Sequence, residues 1–174
     1  VYVRIIDYKT GKKDFNIVKT YYGIDIQLMV YMEAAMKLVA KMRPGKNVIP
    51  AGVFYYNISD PIVSATTESA EEIEDKIKGE LRLKGMVNSD KDIAEKMDNT
   101  EGTSLNIPVS RKADGGFDSR RSKVMNTEQF NMLGRFVDVR AVDTADRIAG
   151  GDIRRSPYKD GQFSSCDRCP YGAV

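Results

Sequence analysis

Apolar and polar positions along this chain follow two different periods, and the switches between them outline its elements. Val1 to Lys9 is rich in β-formers and apolar on both faces near its start, the pattern of a central strand. Thr10-Gly11-Lys12-Lys13 is a turn. From about Tyr21 to Met42, the residues Ile24, Leu28, Tyr31, Ala35, Leu38 and Met42 recur at steps of three and four. They predict an amphipathic helix that Arg43-Pro44-Gly45 ends. Val48 to Ile58 reads as a second strand, stopped by Ser59-Asp60-Pro61. Ser69 with Glu72 is a capping-box pattern, and a charged helix follows to about Lys84. Ser89 is the cap expected for a short helix over Asp90 to Met97. Thr103 to Val109 and Phe117 to Val124 predict two strands of a hairpin around Asp114-Gly115-Gly116. Asn126 then caps a long helix whose apolar stripe is Phe130, Leu133, Val137, Ala141, Ala145 and Ile148, with Gly150-Gly151 as its stop. Strands interleaved with helices make this an α/β chain with one domain over residues 1–174: a core over 1–150 and a C-terminal loop over 151–174.

Composition narrows the chemistry more than the fold. The chain has no histidine, which excludes Ser-His-Asp and Cys-His nucleophilic sites, the H-E-x-x-H zinc motif and any imidazole base. Its two cysteines, Cys166 and Cys169, are spaced for metal ligation rather than for a disulfide framework. No apolar run approaches a membrane span and no signal peptide opens the chain, so the expectation is a soluble, cytoplasmic protein with no membrane partner. The net charge of +2 gives no global attraction to nucleic acid, but the charge is unevenly placed. Residues 60–101 carry 12 acidic and 6 basic side chains, whereas residues 1–20 and 111–123 each carry 5 basic against 2 acidic. A polyanion would favour the opening strand and the hairpin. Within the hairpin, strand alternation sends Arg121 and Lys123 to one face as candidate contacts to a DNA backbone.

The chemistry centres on Asp7-Tyr8-Lys9. On a strand, Asp7 and Lys9 project from one face roughly 6–7 Å apart. A carboxylate and an ammonium so placed can hold a divalent ion and a phosphate between them. Hard oxygen ligands favour magnesium or manganese. Acid-x-lysine triples also arise by chance: Glu74-Asp75-Lys76 is one, on a solvated helix. Gln27 and Tyr31 stand one helical turn apart, so one face can present both. Core packing is the competing role for Tyr31, whereas an amide on an apolar stripe needs partners.

Ile5-Ile6-Asp7-Tyr8-Lys9-Thr10-Gly11, followed by Gln27 and Tyr31, resembles the PD-(D/E)XK nuclease superfamily, and within it the RecB-like branch, where a D-Y-K-[ST]-G strand precedes a Q-x-x-x-Y helix. Ser156-Pro157-Tyr158 and Cys166-Asp167-Arg168-Cys169-Pro170-Tyr171 are similar to the C-terminal segment of iron–sulfur-bearing members. Asp114 to Phe117, Ser122-Lys123-Val124 and Phe130 extend the likeness nearly end to end, to nuclease domains of AddAB-type helicase–nucleases. The resemblance implies a restriction-endonuclease-like mixed sheet flanked by helices. It implies a metal-dependent exonuclease that hydrolyses single-stranded DNA as a helicase A subunit, its heterodimer partner, unwinds a broken end for recombinational repair. Asp7 would ligate Mg²⁺ or Mn²⁺ with the Tyr8 carbonyl as a second ligand, Lys9 would face the phosphate, and Gln27 and Tyr31 would position substrate or Lys9. Cys166 and Cys169 would be half the ligand set of a 4Fe-4S cluster.

The chain opens mid-strand and closes just after the cysteine pair, from which we expect a piece of a longer protein, incomplete at both ends. The family's other metal carboxylates would precede Val1. One carboxylate holds Mg²⁺ poorly and two thiolates cannot retain a four-iron cluster, so the fragment alone is expected to be inactive and without a cluster. Two rival readings are a non-catalytic scaffold that guides DNA and docks the helicase, and a zinc-bound interaction module using Cys166 and Cys169.

Overall fold

The structure, a computed structural model, describes residues 1–58, 69–161 and 163–171, so the strand stop expected at Ser59 to Pro61 lies outside the described residues. The opening apolar run forms β1 (Tyr2–Lys9), which lies parallel to β2 (Ile49–Asn57). β3 (Lys84–Asn88) pairs antiparallel to β2, and the short β4 (Val124–Met125) pairs parallel to β3. The result is a mixed sheet in the order β1-β2-β3-β4. β2 is buried from Pro50 to Tyr55 because both of its faces are covered, which explains its nearly unbroken apolar sequence. Its register slips by one residue beside Val3, leaving Ala51 unmatched next to Pro50. Such a bulge is one of the few places where a strand tolerates a residue with no N–H.

On one face of the sheet, Val3, Val53 and Tyr55 pack against Leu28, Met29 and Met32 of α2 (Gln27–Met42) and Phe130 and Val137 of α5 (Thr127–Ala149). On the other, Phe54 and Val87 meet Ala94 of α4 (Lys91–Met97) together with Ile107 and Val109. Buried Asn88 ties the layers together: its amide donates to the Pro50 carbonyl at 2.7 Å and to Thr127 Oγ1 at 2.9 Å.

Three expectations need correction. The helix foreseen from Tyr21 is interrupted: Ile17–Tyr21 forms a separate short α1, capped by Asn16, and Gly23, at φ +80°, breaks the chain before α2 begins at Gln27. The buried face of α2 also keeps only Leu28 and Ala35 of the stripe read from the sequence. Tyr31, Leu38 and Met42 are exposed, while Leu28, Met29 and Met32 are buried and Ala35, Met36 and Val39 pack against them. The helix is apolar on two sides, and period alone does not choose between them.

Second, β3 occupies a segment that the sequence left without structure, and Asp90 rather than Ser89 caps α4, accepting from the Asp92 and Ile93 amides. Third, the predicted hairpin is absent. Residues 103–117 make only isolated bridges, Thr103 to Ser110 and Arg111 to Phe117, and residues 119–121 form a turn. Side chains capture the backbone there in place of a ladder. Ser104 Oγ accepts from the Asn106 and Ile107 amides, and the Arg82 guanidinium donates to the Ile107 and Val109 carbonyls.

Other expectations hold. Ser69 and Glu72 form a reciprocal capping box on α3 (Ala70–Leu81), and Asn126 and Gln129 form another on α5. The α5 stripe is buried at Phe130 and Val137, but Ala145 and Ile148 are exposed, so the last turns of α5 project past the elements that cover its start.

Candidate active site

The C-terminal end of β1 meets the start of α2, and the ionised residues collect there. Strand alternation puts Asp7 and Lys9 on the α2 face, with Lys9 Nζ 2.9 Å from Asp7 Oδ2. Both remain open to solvent, the side chains being 17% and 30% exposed. They therefore lie neither in a sealed interior nor aimed apart. Lys9 Nζ also donates to Gln27 Oε1 at 2.9 Å, and Gln27 Nε2 donates to the Tyr31 hydroxyl at 2.9 Å. One relay thus joins all four residues that the sequence singled out. Tyr31 is 46% exposed and lies outside the core.

The structure adds residues that the sequence reading gave no role. The break after α1 turns Asp25 inward, where it is 9% exposed and ion-pairs with Lys13 at 2.5 Å. Tyr55, opposite Asp7 in the sheet register, lies beneath both lysines, with Lys9 Nζ 5.5 Å and Lys13 Nζ 5.8 Å from its ring centroid. Burial pushes the Tyr55 hydroxyl up to about 12, and the charges of Asp25 and Asp7 add to the effect. This phenol is therefore neutral at physiological pH and is not a base. Asn57 fastens the turn after β1 at two points, accepting from the Lys13 amide at 3.0 Å and donating to the Lys13 carbonyl at 3.3 Å. Only Asp25 left a signal in the sequence, an acid two residues before the helix start; Lys13, Tyr55 and Asn57 are recruited by tertiary contact alone.

A hard cation suits part of this arrangement. Asp7 Oδ2 is buried and accepts no hydrogen bond among the described residues; Lys9 is its ion-pair neighbour, outside hydrogen-bond geometry. A carboxylate oxygen that is spent on no hydrogen bond of good geometry is a hard ligand suited to a divalent ion. The Lys9 carbonyl accepts from Ile58 on the β2 side, so alternation directs the Tyr8 carbonyl to the edge of β1 that no described strand covers. Among the described residues, no cluster of three or more acidic or cysteine side chains that could hold a metal ion accompanies Asp7.

Cys166 sits on a 3-10 turn over Ser165–Arg168, and the Cys169 amide donates to its carbonyl at 3.1 Å. Both thiols are free and exposed. One turn thus presents two soft ligands, half of what a four-iron cluster requires.

Arg121 and Lys123 do not share a strand face, because the strand itself is missing: Arg121 ends an exposed turn, and Lys123 ion-pairs with Asp14 at 2.5 Å. No helix among the described residues is long and apolar enough to cross a membrane.

The ATP-dependent helicase/deoxyribonuclease B subunit of Thermoanaerobacter sp. (strain X514) is 37% identical over 175 residues, covering 99% of this chain and 15% of that protein. The B subunits of the same description from Clostridium botulinum (strain Hall) and Caldanaerobacter subterraneus are each 39% identical over the same shares. The chain therefore spans about 15% of the length of these relatives. A sequence profile of the PD-(D/E)XK nuclease superfamily matches residues 2–174, and with the Asp-x-Lys strand end placed against its Gln-x-x-x-Tyr helix, the chain belongs to that superfamily.

Proposed function

We propose that this chain is the nuclease unit of a helicase–deoxyribonuclease. In this reading it hydrolyses phosphodiesters of single-stranded DNA released from an unwound duplex end, in the cytoplasm, during recombinational repair of double-strand breaks. Residues 1–150 form the nuclease core, and residues 151–174 contribute Cys166 and Cys169 to a 4Fe-4S cluster completed by other thiolates. The observation that carries the reading is the relay from Asp7 through Lys9 and Gln27 to Tyr31 at an open strand end. The relatives' description as helicase/deoxyribonuclease subunits supports a helicase A subunit as partner.

Bound magnesium or manganese supplies polarisation of the phosphoryl oxygen and a water of lowered pKa. Asp7 would hold the ion through a carboxylate oxygen, with the Tyr8 carbonyl as a second donor. With Asp7 given to the ion, Lys9 would keep its place through Gln27 Oε1. Its ammonium then faces the attacked phosphate and stabilises the charge that develops there. Tyr31 fixes the Gln27 amide from the other side, so the position of Lys9 does not depend on its ion pair with Asp7. Arg121, on its exposed turn, is a candidate backbone contact for the passing strand, and Lys123 joins it if its pair with Asp14 opens.

Asp7→Ala and Lys9→Ala in the complete helicase–nuclease test this reading. DNA cleavage should be lost while ATP-driven unwinding continues. Cleavage that survives both changes would support the scaffold reading instead. With one carboxylate ligand from the described residues, the 174-residue polypeptide alone is expected not to nick DNA in Mg²⁺, and nicking would count against the ligand assignment.

A further inference from the structure

The ion pair between Lys13 and Asp25 has features that simple loop closure does not require. Its two halves are unequally placed: the Asp25 side chain is 10% exposed and the Lys13 side chain 37%, so the carboxylate is the more deeply buried half. The Asp7–Lys9 pair has the same polarity, at 17% and 30%. Both ammonium groups stand over one buried ring, that of Tyr55. Lys13 is also constrained at every level. Asn57 fixes its backbone from both sides, Asp25 fixes its ammonium, and Thr20 Oγ1 in turn holds the Asp25 carbonyl at 3.0 Å. A long, flexible cation held this firmly beside a reactive centre is pre-organised to receive an anion.

We propose that Lys13 forms a second phosphate subsite, which binds the backbone phosphate next to the one attacked, and that Asp25 and Asn57 are its positioning residues. The proposal rests on the nuclease reading above and assigns Lys13 a substrate contact distinct from that of Lys9. A single ammonium contacts phosphate as a point charge without reading sequence, so the subsite should act equally on any single-stranded sequence.

The test uses the native full-length polypeptide that carries this chain, with any subunit that accompanies it, and a mixed-sequence oligonucleotide in Ca²⁺ to prevent turnover. Lys13→Met keeps the apolar stem and removes the charge. It should raise Kd several-fold at low salt and make the slope of log Kd against log salt shallower by about 0.7. Lys13→Arg should restore the slope. A lower melting temperature with an unchanged slope would mean that the pair is only structural and would overturn the proposal.

A second measurement needs no variant: acetylation of wild-type lysines with and without oligonucleotide, read by mass spectrometry. Lys13 should be protected, and equal modification in both states would overturn the subsite. If the wild-type protein neither binds nor cleaves single-stranded DNA, the nuclease reading fails and takes this proposal with it. If it does both and Lys13 shows neither effect, the subsite alone is wrong.

Discussion

Lys9 is held by two partners of different character, a carboxylate and a neutral amide. Ion binding at Asp7 would remove the first and leave the second, so Gln27 should matter for catalysis more than its lack of charge suggests. Gln27→Ala should lower kcat about 10²-fold, the scale set by a 1 Å misplacement of a reacting group, with a smaller change in KM. Steady-state kinetics of DNA cleavage would check this, and an unchanged kcat would show that Lys9 is positioned in some other way. At this scale much of the site was legible. Asp7, Lys9, Gln27 and Tyr31 lie in short motifs whose periods, two on a strand and four on a helix, bring them to one face. Lys13, Asp25, Tyr55 and Asn57 were not legible as a set, because their meeting depends on where the turn after α1 folds back and on which strand lies beside β1.

Among the elements, β3 shows how a backbone contact can dictate a residue. Gly85 stands opposite Phe54 in the β2–β3 register, and a Cβ built on it would lie 2.0 Å from the Val53 carbonyl oxygen. That oxygen belongs to the sheet backbone and cannot swing aside. Gly85→Ala should therefore destabilise the domain by about 1–3 kcal/mol, seen as a lower denaturant midpoint. Across the same face, Asp98 organises the loop that replaces the expected hairpin. Burial alone pushes its carboxyl up, but hydrogen bonds from Ser104, Thr100 and Asn106 outweigh that and hold it at about 2. Because the folded value lies below the unfolded one, the stabilisation is complete above about pH 4 and lost as pH falls through about 2, an effect of roughly 2 kcal/mol. The stability difference between wild type and Asp98→Asn should shrink over that window, and a constant difference would refute the assignment. Here the sequence misled in a definable way. Turn residues and β-formers predicted a hairpin, whereas Ser104 and Arg82 take backbone groups of residues 106–109 that a ladder would have used. Helices with explicit caps, by contrast, were found close to their observed starts, because Ser69 and Asn126 carry the signal locally.

For the molecule as a whole, the two covered faces of β2 account for its apolar run, and the uneven charge has a structural counterpart. The basic opening segment supplies both Lys9 and Lys13 to the site, and the acidic stretch forms the exposed α3 and the start of α4. The account depends on the end of β1 being where a divalent ion and a phosphate meet. Ferrous iron exchanged for magnesium in the full-length polypeptide, with ascorbate and peroxide, cuts the backbone beside its binding site. If a divalent ion sits at the end of β1, cuts fall near residues 6–9 and 25–27, excess Mg²⁺ suppresses them and Asp7→Ala abolishes them. Mg²⁺-sensitive cuts elsewhere, or cuts that Asp7→Ala leaves unchanged, would contradict it.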